Sequence, residues 1–569
     1  MNVRTPLLSA TLAVALVSCG KEAPTGAVAD TVYSGGVIVT MDDTRPMAEA
    51  VAVRDGRILA VGDVEEVLAH AGPTTRRVDL SGQTMLPGFF DSHGHVFAIG
   101  TQVLSANLLP PPDGPGRNIA AVQAELAAWA ANERGPFHEL GWIVGFGYDD
   151  SQLAEQRHPT RDELDAVSSE LPVLIIHQSG HFGVANSKAL ELADISAESE
   201  DPPGGVIRRR DGSSEPNGVL EETAFFRLMG VFGANFDDDT NRAFVLEGAK
   251  AVARFGYTTA QEGRASADSV AAMQRVADTD GLPVDVVAYP DVLTTANVEP
   301  SAEYVNRFRV GGVKLTIDGS PQGKTAWLTE PYHVVPTGMP EDYRGYAAVD
   351  EETTFSAIEK AFANGWQILV HANGDAAIDR MIAAVRAARE KYPDVDNRPV
   401  LIHGQTLRAD QVGELKALDI FPSLFPMHTF YWGDWHRDSV LGPERAENIS
   451  PTGWLLADDM MFGTHHDAPV ALPDSMRVLS ATVTRRTRSG AVLGPEHRVD
   501  VMTALKAMTL WPAWQHFEED AKGSIEVGKV ADFVILSRNP LAVQEDDLAD
   551  IEVLETIKEG VSIYRSPAM

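Results

Sequence analysis

The chain has 569 residues, of which 44% are hydrophobic and 22% charged, with a formal net charge of −34. That length exceeds one ordinary domain, and the composition excludes a disordered chain. A surface for nucleic acid needs an excess of Lys and Arg, so the acidic balance excludes that class of partner.

The N-terminus reads MNVRTPLLSATLAVALVSCGK: Arg4, an apolar run, then Leu16-Val17-Ser18-Cys19. It has the form of a secretory leader, too short to stay as a spanning helix. Leu-Val-Ser-Cys resembles the lipobox of bacterial lipoproteins, which implies acylation of Cys19 as the new N-terminus after removal of the leader. A plain cleavable leader is the alternative. The expected location is the bacterial cell envelope, lipid-anchored on the periplasmic side, or the exterior, with the anchor as the sole membrane contact. Cys19 is the one cysteine, so the mature chain has no disulfide framework and no thiol nucleophile or ligand.

Residues 20–30 are small and polar and read as a tether. From 31 to 85, TVYSGGVIVT, EAVAVRDGRILAVG and TRRVDLSGQTMLPG alternate with Gly and Asp-Gly turns, the pattern of a small β-sandwich. GSIEVGKVADFVILSRNP (523–540) and IEVLETIKEGVSIYR (551–565) have the same texture. Residues 511–569 are therefore expected to complete that domain from the other end.

Between them, 86–510 alternates apolar strands with amphipathic helices. Strands are expected at 86–91, 257–263, 284–290, 312–319, 367–374, 400–406, 420–426 and 460–469. Eight such units close a (β/α)8 TIM-type barrel. The stretch at about 100–250 does not fit the count and reads as a subdomain inserted after strand one, roofing the face where barrel chemistry is built.

Strand one runs into LPGFFDSHGHV (86–96). Side chains alternate along extended backbone, so His93 and His95 project the same way, half of a metal site with Gly94 keeping the space open. Two exposed loop histidines are the plain alternative. Further down the chain, Lys314, His371, His403 and Asp467 lie at or near the ends of strands four, five, six and eight. Four imidazoles without thiolates suit two divalent ions if an anion bridges them; zinc fits best, with manganese, iron or cobalt also candidates.

Taken in order, GFFDSHGH, VKLTIDGS (313–320), HANGD (371–375), IHGQ (402–405), HHDAP (465–469) and GSIEVGKVADFVIL resemble the metal-dependent amidohydrolase superfamily, in particular its amidohydrolase-3, YtcJ-like group. The resemblance implies that His93 and His95 hold the more buried ion and His371 and His403 the second. It also implies that Lys314, carboxylated on its amine, bridges both. A free ammonium beside two dications is disfavoured, whereas a carbamate supplies the bridging anion. An ordinary Lys314 beside one metal, or an anion-binding Lys314, remains the other reading, and Glu262 is an alternative carboxylate ligand. Asp467 would bind the first ion, take a proton from metal-activated water and deliver it to the leaving nitrogen. His465 and His466 depart from the small residues expected beside it.

Outside this set, His181 in IIHQSGHFGVANS either contacts substrate or belongs to a structural turn whose Asn186 caps a helix. Asp318 and Ser320 are placed at the mouth. His428 and Trp432, in a cluster with Phe430, Tyr431, Trp435 and His436, are placed either on an apolar substrate wall or, the commoner arrangement, in a loop packed against the roof. Asp532 reads as structural. The expected activity is hydrolysis of a small C–N amide bond in an N-substituted formamide, N-acyl amine, N-acyl amino acid or cyclic amide. Ester, lactone or carbamate hydrolysis on the same site is the alternative. A mononuclear deaminase would not need Lys314, and a non-catalytic binding protein would need none of the six ligands. The partner is a small molecule, and the resemblance admits a homodimer.

Overall fold

The computed structural model describes residues 26–567 apart from 133, 134, 296, 298 and 337. The expected leader, the lipidation site Cys19 and the start of the tether lie outside the described residues. Among the described residues no helix is long and apolar enough to cross a membrane. The architecture is mixed α/β, with four sheets among those residues.

One sheet joins the two ends of the chain. Strand Ala29–Val39 pairs antiparallel with Met47–Arg54 on one edge. Its other edge pairs parallel with Ala71–Asp79 along the first half and with Thr84–Pro87 along the second. Met47–Arg54 turns into Arg57–Gly62 through Asp55 and Gly56, both at positive φ (49° and 72°), as a two-residue hairpin requires. The C-terminal strand Phe533–Leu536 then pairs antiparallel with Thr84–Pro87, setting Val534 opposite Leu86. Val553–Lys558 and Val561–Arg565 extend the sheet outward. Alternation buries Tyr33, Val51, Val53, Phe533 and Ile535 in one cluster and Ala50, Ala52 and Leu59 in another. Hydrogen bonds link all eight strands into one sheet that branches along its first strand.

Two sheets of parallel strands form the body. The first orders Phe89–Phe90, Tyr257–Ala265, Asp285–Pro290 and Phe308–Val310; the second orders Gly312–Thr316, Gln367–Ala372, Val400–His403, Phe421–Leu424 and Gly463–Thr464. Each of the eight strands expected here has a counterpart. Phe308–Val310 is an addition that its three residues are too few to announce. The expected strand at 86–91 is divided: 86–87 pair in the terminal sheet, and 89–90 pair with Tyr257–Ala265. The two parallel sheets meet where Asp291 bridges Lys314. Buried on both faces, their strands read as near-continuous apolar runs. The flanking helices start at side-chain caps, Asp237, Ser266 and Asp350 each accepting a backbone N–H three residues on.

Between Phe89–Phe90 and Tyr257–Ala265 the chain builds a six-stranded sheet from Ala106–Asn107 to Pro216–Glu222. That segment has its own apolar cluster, including Leu108, Val144, Ile175, Leu220, Phe225 and Phe244. Asn186 caps helix Ser187–Leu192 by accepting the Ala189 N–H.

Candidate metal centre

Strands within each parallel sheet finish together, so the polar residues that stop the apolar runs converge. His93 and His95 follow Phe89–Phe90. A Cβ on Gly94 would meet Asp91 Oδ2 at 2.5 Å and His466 Cε1 at 2.8 Å, so the tight turn between the two imidazoles requires glycine. His93 is buried and its Nδ1 donates to Gln261 Oε1 (2.6 Å), whose amide nitrogen is anchored on the Ser92 carbonyl. The lone pair of His93 Nε2 therefore faces inward, 3.0 Å from Lys314 Nζ and 3.5 Å from Asp467 Oδ1. His95 Nε2 lies 3.2 Å from the same Asp467 oxygen, and its Nδ1 lies 3.6 Å from Glu262 Oε1. Glu262 Oε2 accepts the Phe97 N–H, which holds that carboxylate against His95.

The second pair sits alongside. His371 Nε2 is 3.1 Å from the Gly319 carbonyl, an acceptor, so its Nδ1 presents a lone pair towards His403 Nε2 at 3.1 Å. His403 Nε2 is 3.9 Å from Asp467 Oδ2, which links the two pairs. His403 (φ 76°) and Asp467 (φ 51°) both occupy left-handed backbone, strain that the surrounding structure sustains at this place. Within HHDAP, Asp467 points into the site. His465 stands behind His403 and is itself held by Ser423 Oγ, while His466 is buried against Tyr257.

Burial, reinforced by the neighbouring ammonium of Lys314, pushes the His93 and His371 imidazoles well below their ordinary range; burial and His371 do the same to His403. Burial also opposes charge on His95, but the carboxylates of Asp467 and Glu262 outweigh it and raise the ring to about 9. Lys314 is 1% exposed, and burial lowers its amine to about 7. Asp467 Oδ1 is buried and accepts no hydrogen bond among the described residues, although two imidazole nitrogens approach it. The neutral imidazoles of His93, His371 and His403, a carboxylate oxygen without a hydrogen bond and a lysine near its neutral form are a donor set suited to divalent cations. The ligand atoms of His93, His95 and Asp467 lie within 4.8 Å of one another, as one ion requires.

These groups line one side of a cavity of about 440 Å³. The other side is apolar and comes largely from the inserted segment: Phe146, Ile176, Phe225, Phe226 and Met229. His181 is on that wall, its ring centroid 6.4 Å from that of His371. Three expectations change. Asp318 does not line the cavity: it is buried and accepts the backbone N–H groups of Trp327, Asn373 and Gly374, fixing the turn after its strand. His428 is likewise absent from the wall, its Nδ1 3.0 Å from His436 Nε2 and its ring against Phe425. Trp432 is 1% exposed and donates its indole N–H to Asp149 Oδ2 (2.6 Å), docking the inserted segment on helix Met427–Trp435. Aromatic composition marked the loop after strand seven, but His428 is held by His436 and Trp432 packs against the roof through Asp149. Asp532 is buried against Lys558 (2.9 Å).

The sequence reading passed over Gln261 and the apolar wall. Gln261 is a fully buried polar residue in a strand that also buries Thr258, Thr259 and Glu262, so no local contrast singled it out. For the wall the signal was TAFFRLMGVFG (Thr223–Gly233), a helix that leaves Phe226 41% exposed.

The sequence model of the Amidohydrolase family matches residues 76–564. The chain belongs to the amidohydrolase family. It is accordingly a hydrolase acting on carbon–nitrogen bonds. The putative amidohydrolase YtcJ of Bacillus subtilis is 28% identical over 552 residues, covering 94% of this chain and 99% of that protein. The N-substituted formamide deformylase of Arthrobacter pascens is 28% identical over 544 residues, covering 92% and 96%. An uncharacterized metal-dependent hydrolase from Pyrococcus horikoshii shares the fold, with a TM-score of 0.72, 24% identity and coverage of 90% and 99%.

Proposed function

We propose that this amidohydrolase cleaves the C–N bond of a small N-substituted amide whose substituent on nitrogen is apolar, with N-substituted formamides first among the substrates. The observation that carries the reading is one cavity with His93, His95, Lys314, His371, His403 and Asp467 on one side and an aromatic, aliphatic wall on the other. The likeness to a formamide deformylase over nearly its full length supports the choice of acyl group.

The two parallel sheets are read as the halves of one (β/α)8 barrel. The Asp291–Lys314 bridge joins them on one side, and the Asp467 N–H donates to the His93 carbonyl (3.1 Å) on the other. His93, His95 and Asp467 would hold one divalent ion and His371 and His403 a second, zinc suiting nitrogen and oxygen donors. When bound, the ions supply Lewis acidity that acidifies water and polarises a carbonyl. Lys314 would bridge them as a carbamate: its neutral amine, favoured by burial, adds to carbon dioxide and loses a proton. Gln261 and the Gly319 carbonyl fix the tautomers of His93 and His371 by taking their outer N–H groups.

Asp467 moves the proton. It takes one from the attacking water, whose oxygen bonds to the carbonyl carbon, and gives it to the nitrogen as the C–N bond breaks, leaving a carboxylic acid and an amine. The wall around Phe225, Phe226 and Met229 receives the apolar substituent and sheds water from it.

Metal content by mass spectrometry on the soluble domain tests this, beside Lys314→Ala. Close to two ions per chain, falling in the variant, is expected. One ion, unchanged by the variant, overturns the bridged pair.

A further inference from the structure

Every metal-side group above comes from the parallel sheets. The opposite wall, from the inserted segment, carries one imidazole: His181, with its side chain 17% exposed and its ring centroid 6.4 Å from that of His371. Its surroundings are specific. His181 Nδ1 lies 2.8 Å from Glu222 Oε2, so the ring donates to that carboxylate and turns Nε2 away from it. The two residues are also tied through the main chain, the Glu222 N–H donating to the His181 carbonyl (2.9 Å) at the edge of the paired strands Phe182–Ala185 and Pro216–Glu222. Glu222 sits at φ 46°, a left-handed conformation that costs a non-glycine residue roughly 1–3 kcal/mol unless its surroundings enforce it.

The turn beneath His181 is held as firmly. Ser179 Oγ accepts the His181 N–H (3.2 Å) and lies 2.8 Å from His177 Nδ1, whose ring partner Nε2 is 3.1 Å from Asp150 Oδ1. The neighbouring Asp149 takes the indole N–H of Trp432. A polar chain thus runs from the body of the molecule through the inserted segment to the backbone of His181. Such a chain orders a side chain that a packing role alone would leave free to rotate.

We propose that His181 is a catalytic residue contributed by the inserted segment, its Nε2–H hydrogen-bonding the substrate carbonyl oxygen and stabilising the charge that grows there during attack, with Glu222 as its positioning residue. No proton changes hands at His181: the ring donates a charge-assisted hydrogen bond throughout, and Glu222 balances its charge. The assignment rests on the amide-hydrolase reading and adds a second, non-metal source of stabilisation for the same oxygen. It also gives the insertion a task besides covering the cavity.

The experiment uses the full mature chain loaded with zinc and N-(2-phenylethyl)formamide as probe, with amine release as the readout and metal content measured in parallel. If the wild type releases no amine, the amide-hydrolase reading fails, and this assignment with it. If the wild type is active, His181→Gln is expected to lower kcat about 10²- to 10³-fold, the scale of one lost oxyanion donor, with KM within threefold and metal content unchanged. Glu222→Gln, which keeps the ring but frees it, is expected to lower kcat about tenfold, and Glu222→Asp to recover part of that loss. A His181→Gln enzyme with kcat within threefold of wild type overturns the assignment, and so does a loss that follows metal content. Should His181→Gln fail to fold, a Glu222→Gln enzyme with unchanged kcat overturns it instead.

Discussion

Two buried polar clusters occupy opposite ends of the strand Asp285–Pro290 and its neighbours, and they differ in how their charges are matched. Where the strands begin, Lys522 meets Asp285 and Glu518 (both 2.5 Å), Lys558 meets Asp285 (2.8 Å) and Asp532 (2.9 Å), and Arg309 meets Glu518 (2.9 Å). Three cations face three carboxylates, and Tyr304 donates a further hydrogen bond to Glu518. Burial would raise the Glu518 carboxyl, but Lys522 and Arg309 outweigh it and hold it down at about 2. Where the strands end, imidazoles driven neutral by burial face one another, and the nearest partner of Lys314 Nζ is the neutral His93. The first cluster stitches the C-terminal segment to the body. In the second, His95, held charged by Asp467 and Glu262, stands beside neutral imidazoles and a buried lysine, a mixture of donors that suits a ligand better than it suits stability alone.

The comparison can be broken by removing one lysine from each cluster. Lys522→Met strands Asp285 and Glu518 beside two remaining cations. It should destabilise the protein by about 3–5 kcal/mol, the cost of breaking a buried pair from one side, read as a lowered urea midpoint. A loss below about 1 kcal/mol would mean that Lys558 and Arg309 suffice. Lys314→Met should act in the opposite direction. A lysine held near 7 by burial costs roughly 2–4 kcal/mol at neutral pH, so this variant should unfold at higher urea than the wild type once both are freed of metal by a chelator. If the chelated variant is less stable, Lys314 has a stabilising partner and the contrast fails.

A smaller effect sharpens the same contrast through pH. Glu518 titrates lower folded than unfolded, so its contribution is present above its ordinary value of 4.5 and fades as pH falls towards about 2. Lys314 titrates lower folded too, but as a base: between about 7 and 10.5 the unfolded chain binds the extra proton, so stability of the chelated protein should rise with pH across that window. Urea midpoints should follow both slopes, and Lys314→Met should flatten the alkaline one and leave the acid one intact.

Much of this was legible in the residues. The gathering of His93, His95, Lys314, His371, His403 and Asp467 at one cavity was readable because His, Lys or Asp ending an apolar strand breaks the pattern around it. The strand series was readable because strands buried on both faces announce themselves as apolar runs. Other features depend on partners that no local pattern encodes. Asp318 is drawn to three backbone N–H groups, His428 to His436, and Trp432 to Asp149, 283 residues away. Gln261 acquires its role only because folding brings it 2.6 Å from His93.

The sequence by itself determined which chemistry the chain can perform, since the side chains that hold metal and carry protons are set by covalent structure. Only the tertiary structure decided which of them meet. It turned Asp467 inward and His465 and His466 back, through a left-handed residue and a turn that only Gly94 permits. It also placed His181 and the apolar wall of the inserted segment across the cavity from His371 and Lys314. The direction of a side chain follows from backbone dihedrals and long-range packing, and those exist only once the chain has folded.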